Sequence, residues 1–362
     1  MKIRRFGAVV ALLVALALPA RTEPIQARMT AASLRELGVN TFTFRPAVFT
    51  SDGLTLVAME KTPPDLRSKG TMHRLWLVTV GVDGKIRETR SLPIETPTLE
   101  GIAVTPDDSA AVVISKTGAT YLRVPFNGGP VTPLMEHQRG TPGFRAHPSF
   151  LRPSSGELLT MGYFYDKDDF SGDTLLASVD PNGSGASAFR GGLNIQKVEK
   201  SVPGFYASSY TSTRGGALAG KDATRTTLYW VEEGQEPRKL DEAERIGGFW
   251  AAGNRVVYTA SRGAAHEAAV FDAAQGQKFV LGTDREPYGY PFLSDDSKTA
   301  VVCQLDLAQG RMNVLYARES DGFTLKPVPG LQKVKMGAIR VAPNGRFLAF
   351  YNGDLLQFVE LP

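Results

Sequence analysis

Along most of the chain, apolar residues come in short stretches broken by polar turns, without the sustained 3.6-residue period of a long helix. One unit recurs: a short apolar stretch, a turn of Ser, Pro, Asp, Asn and Gly, then an alternating or fully apolar β-rich strand. Seven copies are present, at residues 48–57 (VFTSDGLTLV), 102–113 (IAVTPDDSAAVV), 148–159 (PSFLRPSSGELL), 198–210 (VEKSVPGFYASSY), 248–258 (GFWAAGNRVVY), 291–302 (PFLSDDSKTAVV) and 339–350 (IRVAPNGRFLAF). Aligning the last turn residue of each gives Gly53, Asp108, Gly156, Gly204, Gly253, Asp296 and Gly345, spaced by 55, 48, 48, 49, 43 and 49 residues. Asp, Asn and Gly tolerate the positive φ of a tight reversal, which explains their place in the unit. A period in the forties is that of a four-stranded propeller blade, whereas the unrelated hairpins of a sandwich have no reason to keep one.

Each turn is read as joining strands a and b, and a third strand follows at residues 74–80, 119–124, 174–179, 226–231, 268–271, 312–317 and 355–359. The expected fold is therefore all-β: a seven-bladed β-propeller of four-stranded antiparallel blades over residues 39–362. After Gly345 only seventeen residues remain, enough for strands b and c of the last blade but not for d. The alternating stretch Asn40–Phe44 is expected to supply that strand, so that N-terminal strand pairing in the last blade closes the ring and leaves no open edge. Residues 21–38 read as an N-terminal tail, with a helical turn around Ala31 to Leu37.

Ahead of this, Lys2, Arg4 and Arg5 precede an apolar run over residues 6–20. A charged start and a run of that length read as a secretory signal peptide over residues 1–20, since about 20 apolar residues are needed to span a bilayer. Export to the periplasm or the medium follows, with no membrane span after cleavage. Three of the 41 lysines and arginines lie in this leader, leaving 38 against 37 acidic residues. Near-neutrality without a basic block gives no footprint for nucleic acid. Cys303 is the only cysteine, so no intrachain disulfide forms and stability must come from a packed core.

Pro343 to Phe350 (PNGRFLAF) and Gly234 to Leu240 (GQEPRKL) resemble the blade repeat of TolB-type, WD-like periplasmic propellers. That resemblance implies the propeller fold and a general binding role. It does not extend to a specific partner, because the expected blade count is higher than that of the family's namesake, which also looks to carry an additional N-terminal domain not expected here.

Candidate chemistry is sparse. The four histidines, His73, His137, His147 and His266, have no metal-ligand spacing. The segment Tyr163 to Asp173 clusters carboxylates, but Phe170 stands where a calcium loop needs an oxygen ligand. There is no nucleophile elbow, and Cys303 lies in an apolar strand where a thiol is inert. Catalytic residues, metal ligands and cofactors are accordingly all read as none.

Loop length is the better guide. The a–b and c–d turns are short, and the long segments, 60–73, 136–147, 165–173, 214–225 and 282–290, all belong to the b–c and d–a connections. They carry Arg139, Arg145, Tyr165, Asp166, Asp168, Arg285, Tyr288 and Tyr290, and elaborated loops rich in Tyr and Arg are where binding resides on a rigid scaffold. The expected function is a non-catalytic binding or scaffold module for a protein, peptide or glycan partner. The alternative is a small lactonase- or lyase-like propeller enzyme with its site at the central channel.

Overall fold

The second strand of the recurring unit is apolar at consecutive positions, which requires burial on both faces. The computed structural model shows why. It describes residues 26–62, 72–96, 99–105, 107–115, 120–136, 144–147, 158–164, 174–179, 188–191, 195–200, 205–211, 225–231 and 235–362. These strands form seven antiparallel sheets, almost all four-stranded. Sheet 1 comprises Phe44–Phe49, Thr55–Thr62, Met72–Val80 and Ile86–Thr96; sheet 2 comprises Leu99–Val104, Ala110–Ser115, Thr120–Pro125 and Thr132–Glu136. Sheet 3 is Phe144–His147, Leu158–Phe164, Thr174–Val179 and Ala188–Gly191, and sheet 4 is Ile195–Lys200, Phe205–Thr211, Arg225–Val231 and Arg238–Ala243. Arg245–Ala252, Arg255–Arg262, Ala265–Asp272 and Gln277–Asp284 make sheet 5. Sheet 6 holds Tyr288–Leu293, Thr299–Asp306 and Arg311–Arg318, edged by two short pieces, Lys326–Pro327 and Val334–Lys335.

Sheet 7 is Ala338–Val341, Phe347–Tyr351 and Leu355–Glu360, completed by Gln26–Thr30 paired antiparallel to Leu355–Glu360. Here the structure corrects the sequence reading: the outer strand comes from residues expected to be tail, and Asn40 to Thr43 form a turn. Phe42 in that turn is 93% exposed, and Phe44 begins the first strand of sheet 1. In Gln26–Thr30 only Ala27 and Met29 are buried, so its alternation is faint against the two phenylalanines downstream. A helix, Ala31–Glu36, follows the strand, capped by the Thr30 hydroxyl accepting from the Ser33 N–H.

Among the described residues, five apolar cores lie between consecutive sheets. Leu56 and Ala58 join Phe347, Ala349 and Phe358 between sheets 7 and 1, while Val57 between them packs on Leu75, Val104 and Val113 toward sheet 2. In sheet 6, Val301 and Cys303 face sheet 7, and Ala300 and Val302 face sheet 5. Alternation along a strand thus serves two cores at once. At about 25 cal/mol per Å² of apolar area removed from water, such burial is the main stabilising contribution in a chain without a disulfide.

The a–b turns of sheets 1, 2 and 6 share one internal design. Thr50, Thr105 and Ser294 each donate a side-chain hydrogen bond to a carboxylate two residues on, Asp52, Asp107 and Asp296, at 2.5–2.6 Å. The same hydroxyls accept from the N–H of Thr55, Ala110 and Thr299 at 2.9–3.2 Å. Hydrogen bonds from the Thr105 and Ser109 hydroxyls hold Asp107 at a pKa of about 2. Positive φ falls on Gly53, Asp108, Gly253 and Gly345, as the alignment expects, and on Ser297 rather than the neighbouring Asp296.

The turns are also bonded to one another. Ser297 Oγ donates to the Ala252 carbonyl at 2.5 Å, Asp295 N–H to Pro343 O at 2.8 Å, Asn344 Nδ2 to Asp52 O at 2.8 Å, and Ser51 N–H to Asp108 Oδ1 at 2.9 Å. This links sheets 5, 6, 7, 1 and 2 in order. At Gly345, a Cβ would lie 2.7 Å from Ser294 Cβ, so the residue must lack one both for its φ of 66° and for the approach of the next turn.

The N-terminal turn is anchored on both sides. Buried Glu60 accepts from Asn40 N–H at 2.5 Å and from Trp76 Nε1 at 2.7 Å, and the Tyr351 hydroxyl donates to the Thr41 carbonyl. Residues 1–25, including the expected leader, lie outside the described residues. Among the described residues no helix is long and apolar enough to cross a membrane.

Candidate functional site

Among the described residues, the first strand of each sheet is hydrogen-bonded as a ladder along one side only, to the second strand of its own sheet. First strands of successive sheets flank one another between sheets 4 and 5, 5 and 6, 7 and 1, and 1 and 2. Gly248 of sheet 5 lies so near Pro291 of sheet 6 that a Cβ there would touch the proline ring at 3.4 Å.

Five first strands carry extra residues relative to the strand they pair with. The additions are Ala47, Glu100, Gln196, Gly247 and, in sheet 6, one residue within the pair Tyr290 and Pro291. A bulge of this kind bends the strand, takes a residue out of the ladder and re-aims its side chain. Its recurrence on first strands places irregular backbone along strands that flank those of neighbouring sheets.

Three polar residues on the first strands of sheets 6, 7 and 1 stand out. Arg340, on the first strand of sheet 7, donates from Nε to the carbonyl of the bulged Ala47 at 2.7 Å and from Nη1 to Ile339 O at 2.7 Å. Arg45 lies two residues before Ala47 and is exposed. Tyr290, on the first strand of sheet 6, is 47% exposed and adopts a φ of 52°, which is strained for a tyrosine. Arg340 is exposed; the protein packed around it lowers its pKa from the ordinary guanidinium value, Tyr290 opposes the shift, and the charge of Arg45 adds to it. Among the described residues neither arginine is paired with a carboxylate, and the bonds to Arg340 come from backbone carbonyls. The arrangement is cationic, with free guanidinium N–H donors and an aromatic hydroxyl, and is suited to holding an anion.

The residues expected from loop length are distributed differently. Arg139, Tyr165, Asp166 and Asp168 lie outside the described residues. Arg145 is on the first strand of sheet 3, Phe144–His147. The segment 282–290 is not a long loop: strands run to Asp284 and from Tyr288, leaving Arg285, Glu286 and Pro287 as the connection, with Arg285 exposed. Asp284 Oδ1 closes it by accepting from Glu286 N–H at 3.0 Å. Tyr288 and Tyr290 are thus strand residues with different fates. Tyr288 packs its ring toward Gly282, where a Cβ would come within 2.7 Å of its hydroxyl, and only Tyr290 is presented. Gly, Pro and the bulge break the alternation that marks a strand, so this stretch reads as loop although its backbone pairs.

Sequence reasoning missed Arg45 and Arg340. The available signal was a lone arginine inside the apolar stretch before a repeat turn, as in Ile339-Arg340-Val341. Cys303 is fully buried, and burial pushes its thiol pKa well up, in keeping with an inert core residue. Among the described residues no group of three or more His, Cys, Asp or Glu could hold a metal ion; His137 lies outside them.

No family model matches the chain, and no curated protein does. Solved structures do. An oligogalacturonate lyase in complex with manganese is similar with a TM-score of 0.61 at 12% identity, over 88% of this chain and 90% of that one. The oligogalacturonate lyase of Vibrio parahaemolyticus gives 0.59 at 10% identity, over 95% and 92%. The β-propeller domain of the trilobed protease from Pyrococcus furiosus, which has an open velcro topology, gives 0.54 at 13% identity, over 86% and 96%. At these identities the likeness shows the fold: the chain is a β-propeller-type all-β protein of four-stranded antiparallel sheets. The similar structures are of several functional kinds and do not single out the TolB type.

Proposed function

We propose that the chain is an exported, seven-bladed β-propeller, closed by the pairing of Gln26–Thr30 with Leu355–Glu360, that acts as a binding module. The observation that carries the reading is the set Arg45, Tyr290 and Arg340. Three polar side chains from three successive sheets are presented on bulged or edge backbone, and Arg340 is fixed by two carbonyls. Preorganised donors on a rigid scaffold recognise a partner without losing much side-chain entropy. The partner is a protein, peptide or glycan that reaches these three residues, and Arg285 lies in the connection that precedes the strand carrying Tyr290.

The test is equilibrium binding of the purified chain from residue 21 to components of a fractionated envelope extract, repeated with Arg45→Ala/Tyr290→Ala. A specific partner retained by the native chain and lost by the double variant is expected. Retention by both, with unchanged affinity, refutes the reading. Edman sequencing of protein recovered from the periplasm, expected to begin near Arg21, tests export.

The enzymatic reading is favoured by one observation, that the two oligogalacturonate lyases match over nearly the whole of both chains. Incubation with oligogalacturonate, followed by ultraviolet absorbance of the unsaturated product, tests it. Turnover would replace the binding-module reading with a lyase.

A further inference from the structure

We infer that Arg45, Arg340 and Tyr290 form a subsite for a carboxylate-bearing small ligand, an assignment that rests on the binding reading and names the chemistry of its site. A guanidinium has five N–H donors in a planar fork. In Arg340, Nε and one Nη1 hydrogen are committed to the carbonyls of Ala47 and Ile339, which fixes the plane of the group and leaves donors on Nη1 and Nη2. Those two nitrogens match the two oxygens of a carboxylate.

Two further features favour an anion. Arg45 sits two residues from the carbonyl that holds Arg340, and like charges brought together without a described carboxylate between them are relieved by an anion. The backbone also accepts a positive φ to hold Tyr290 outward, at the bulge that separates Gly289 from Phe292 in register. A tyrosine here offers a hydroxyl to a carboxylate oxygen and a ring face to a flat or cyclic ligand body. Guanidinium pairs that recognise carboxylates do so with geometric specificity, which a single lysine lacks.

Binding of four probes to the full chain by isothermal titration at low and high salt tests the assignment: D-glucuronate, succinate, inorganic phosphate, and D-glucose as neutral control. The expected result is that glucuronate binds at least about tenfold more tightly than glucose, with a loss of about tenfold in Arg45→Gln and in Arg340→Gln. Thermal unfolding of each variant verifies that it folds. Arg45→Gln decides the case should Arg340→Gln unfold, because Arg45 is exposed and holds no described hydrogen bond. Tyr290→Phe distinguishes hydroxyl from ring recognition, and a preference for glucuronate over succinate assigns the ring-bearing source. Equal binding of glucuronate and glucose, tighter binding of phosphate than of either carboxylate, or full affinity in Arg45→Gln would overturn the subsite. Failure here with retained, Arg45-dependent capture of an envelope partner refutes the carboxylate subsite and leaves the binding module standing; failure of both refutes the two together.

Discussion

The a–b turns and the first strands that run into them are adjacent in sequence and opposite in the use of their polar groups. In the turns, hydroxyls, carboxylates and amides are consumed internally: Thr105 serves Asp107 and Ala110, and Asn344 serves both Arg346 N–H at 2.9 Å and the carbonyl of Asp52 in the next sheet. On the first strands, Arg45, Tyr290 and Arg340 keep donors available and include a strained backbone position. A polar residue satisfied by its neighbours maintains architecture, and one left available on a rigid frame is positioned for recognition.

Substitutions should separate the two roles. The largest effect is expected for Gly345→Val, which adds a β-branched side chain at φ 66° and at 2.7 Å from Ser294 Cβ. A loss of about 3 kcal/mol or more in urea unfolding is expected, with any ligand affinity of the folded fraction intact. Next, Glu60→Ala leaves the Asn40 and Trp76 N–H groups without their buried acceptor, for about 2 kcal/mol by the same measurement. A smaller effect belongs to pH. The folded-state pKa of Asp107 lies below its ordinary 3.8, at about 2, so its contribution is complete above pH 4 and is lost as pH falls toward 2. The melting temperature of Asp107→Asn should therefore fall less steeply than that of the native chain across this window. The smallest change in stability is expected for Tyr290→Gly, within about 1 kcal/mol, because relief of the positive φ offsets the lost contacts and added chain entropy. Its ligand affinity should nevertheless drop, and a large loss of stability would place Tyr290 with the turns.

The same contrast explains what was legible in the sequence. The turn residues announce themselves, because the positive φ of a tight reversal favours Gly, Asp and Asn, and Gly53, Asp108, Gly253 and Gly345 could be aligned without a structure. The third strands were equally plain, as with Thr174–Val179. Gln26–Thr30 was not, since two buried residues in five carry little alternation and its partner lies more than 300 residues away. Arg45 and Arg340 escaped because a strand residue earns attention by apolarity, while Tyr288 and Tyr290 were noticed for their type and misplaced in a loop. The bulges, invisible in composition, decide which of the two tyrosines faces out.

The pairing of Gln26–Thr30 with Leu355–Glu360 also sets an order of events. The Asn344 bond to Asp52 spans 292 residues and the Arg340 bond to Ala47 spans 293, so neither can form until nearly the whole chain has been made. Until then the N-terminal strand and the exposed side of sheet 1 have no partner, and an unpaired edge is open to pairing with other molecules. Contacts of such sequence separation make for slow folding. A chain arrested shortly before residue 355 would hold Arg340 and Asn344 but lack Leu355–Glu360, leaving Gln26–Thr30 and Phe347–Tyr351 each with an unpaired edge.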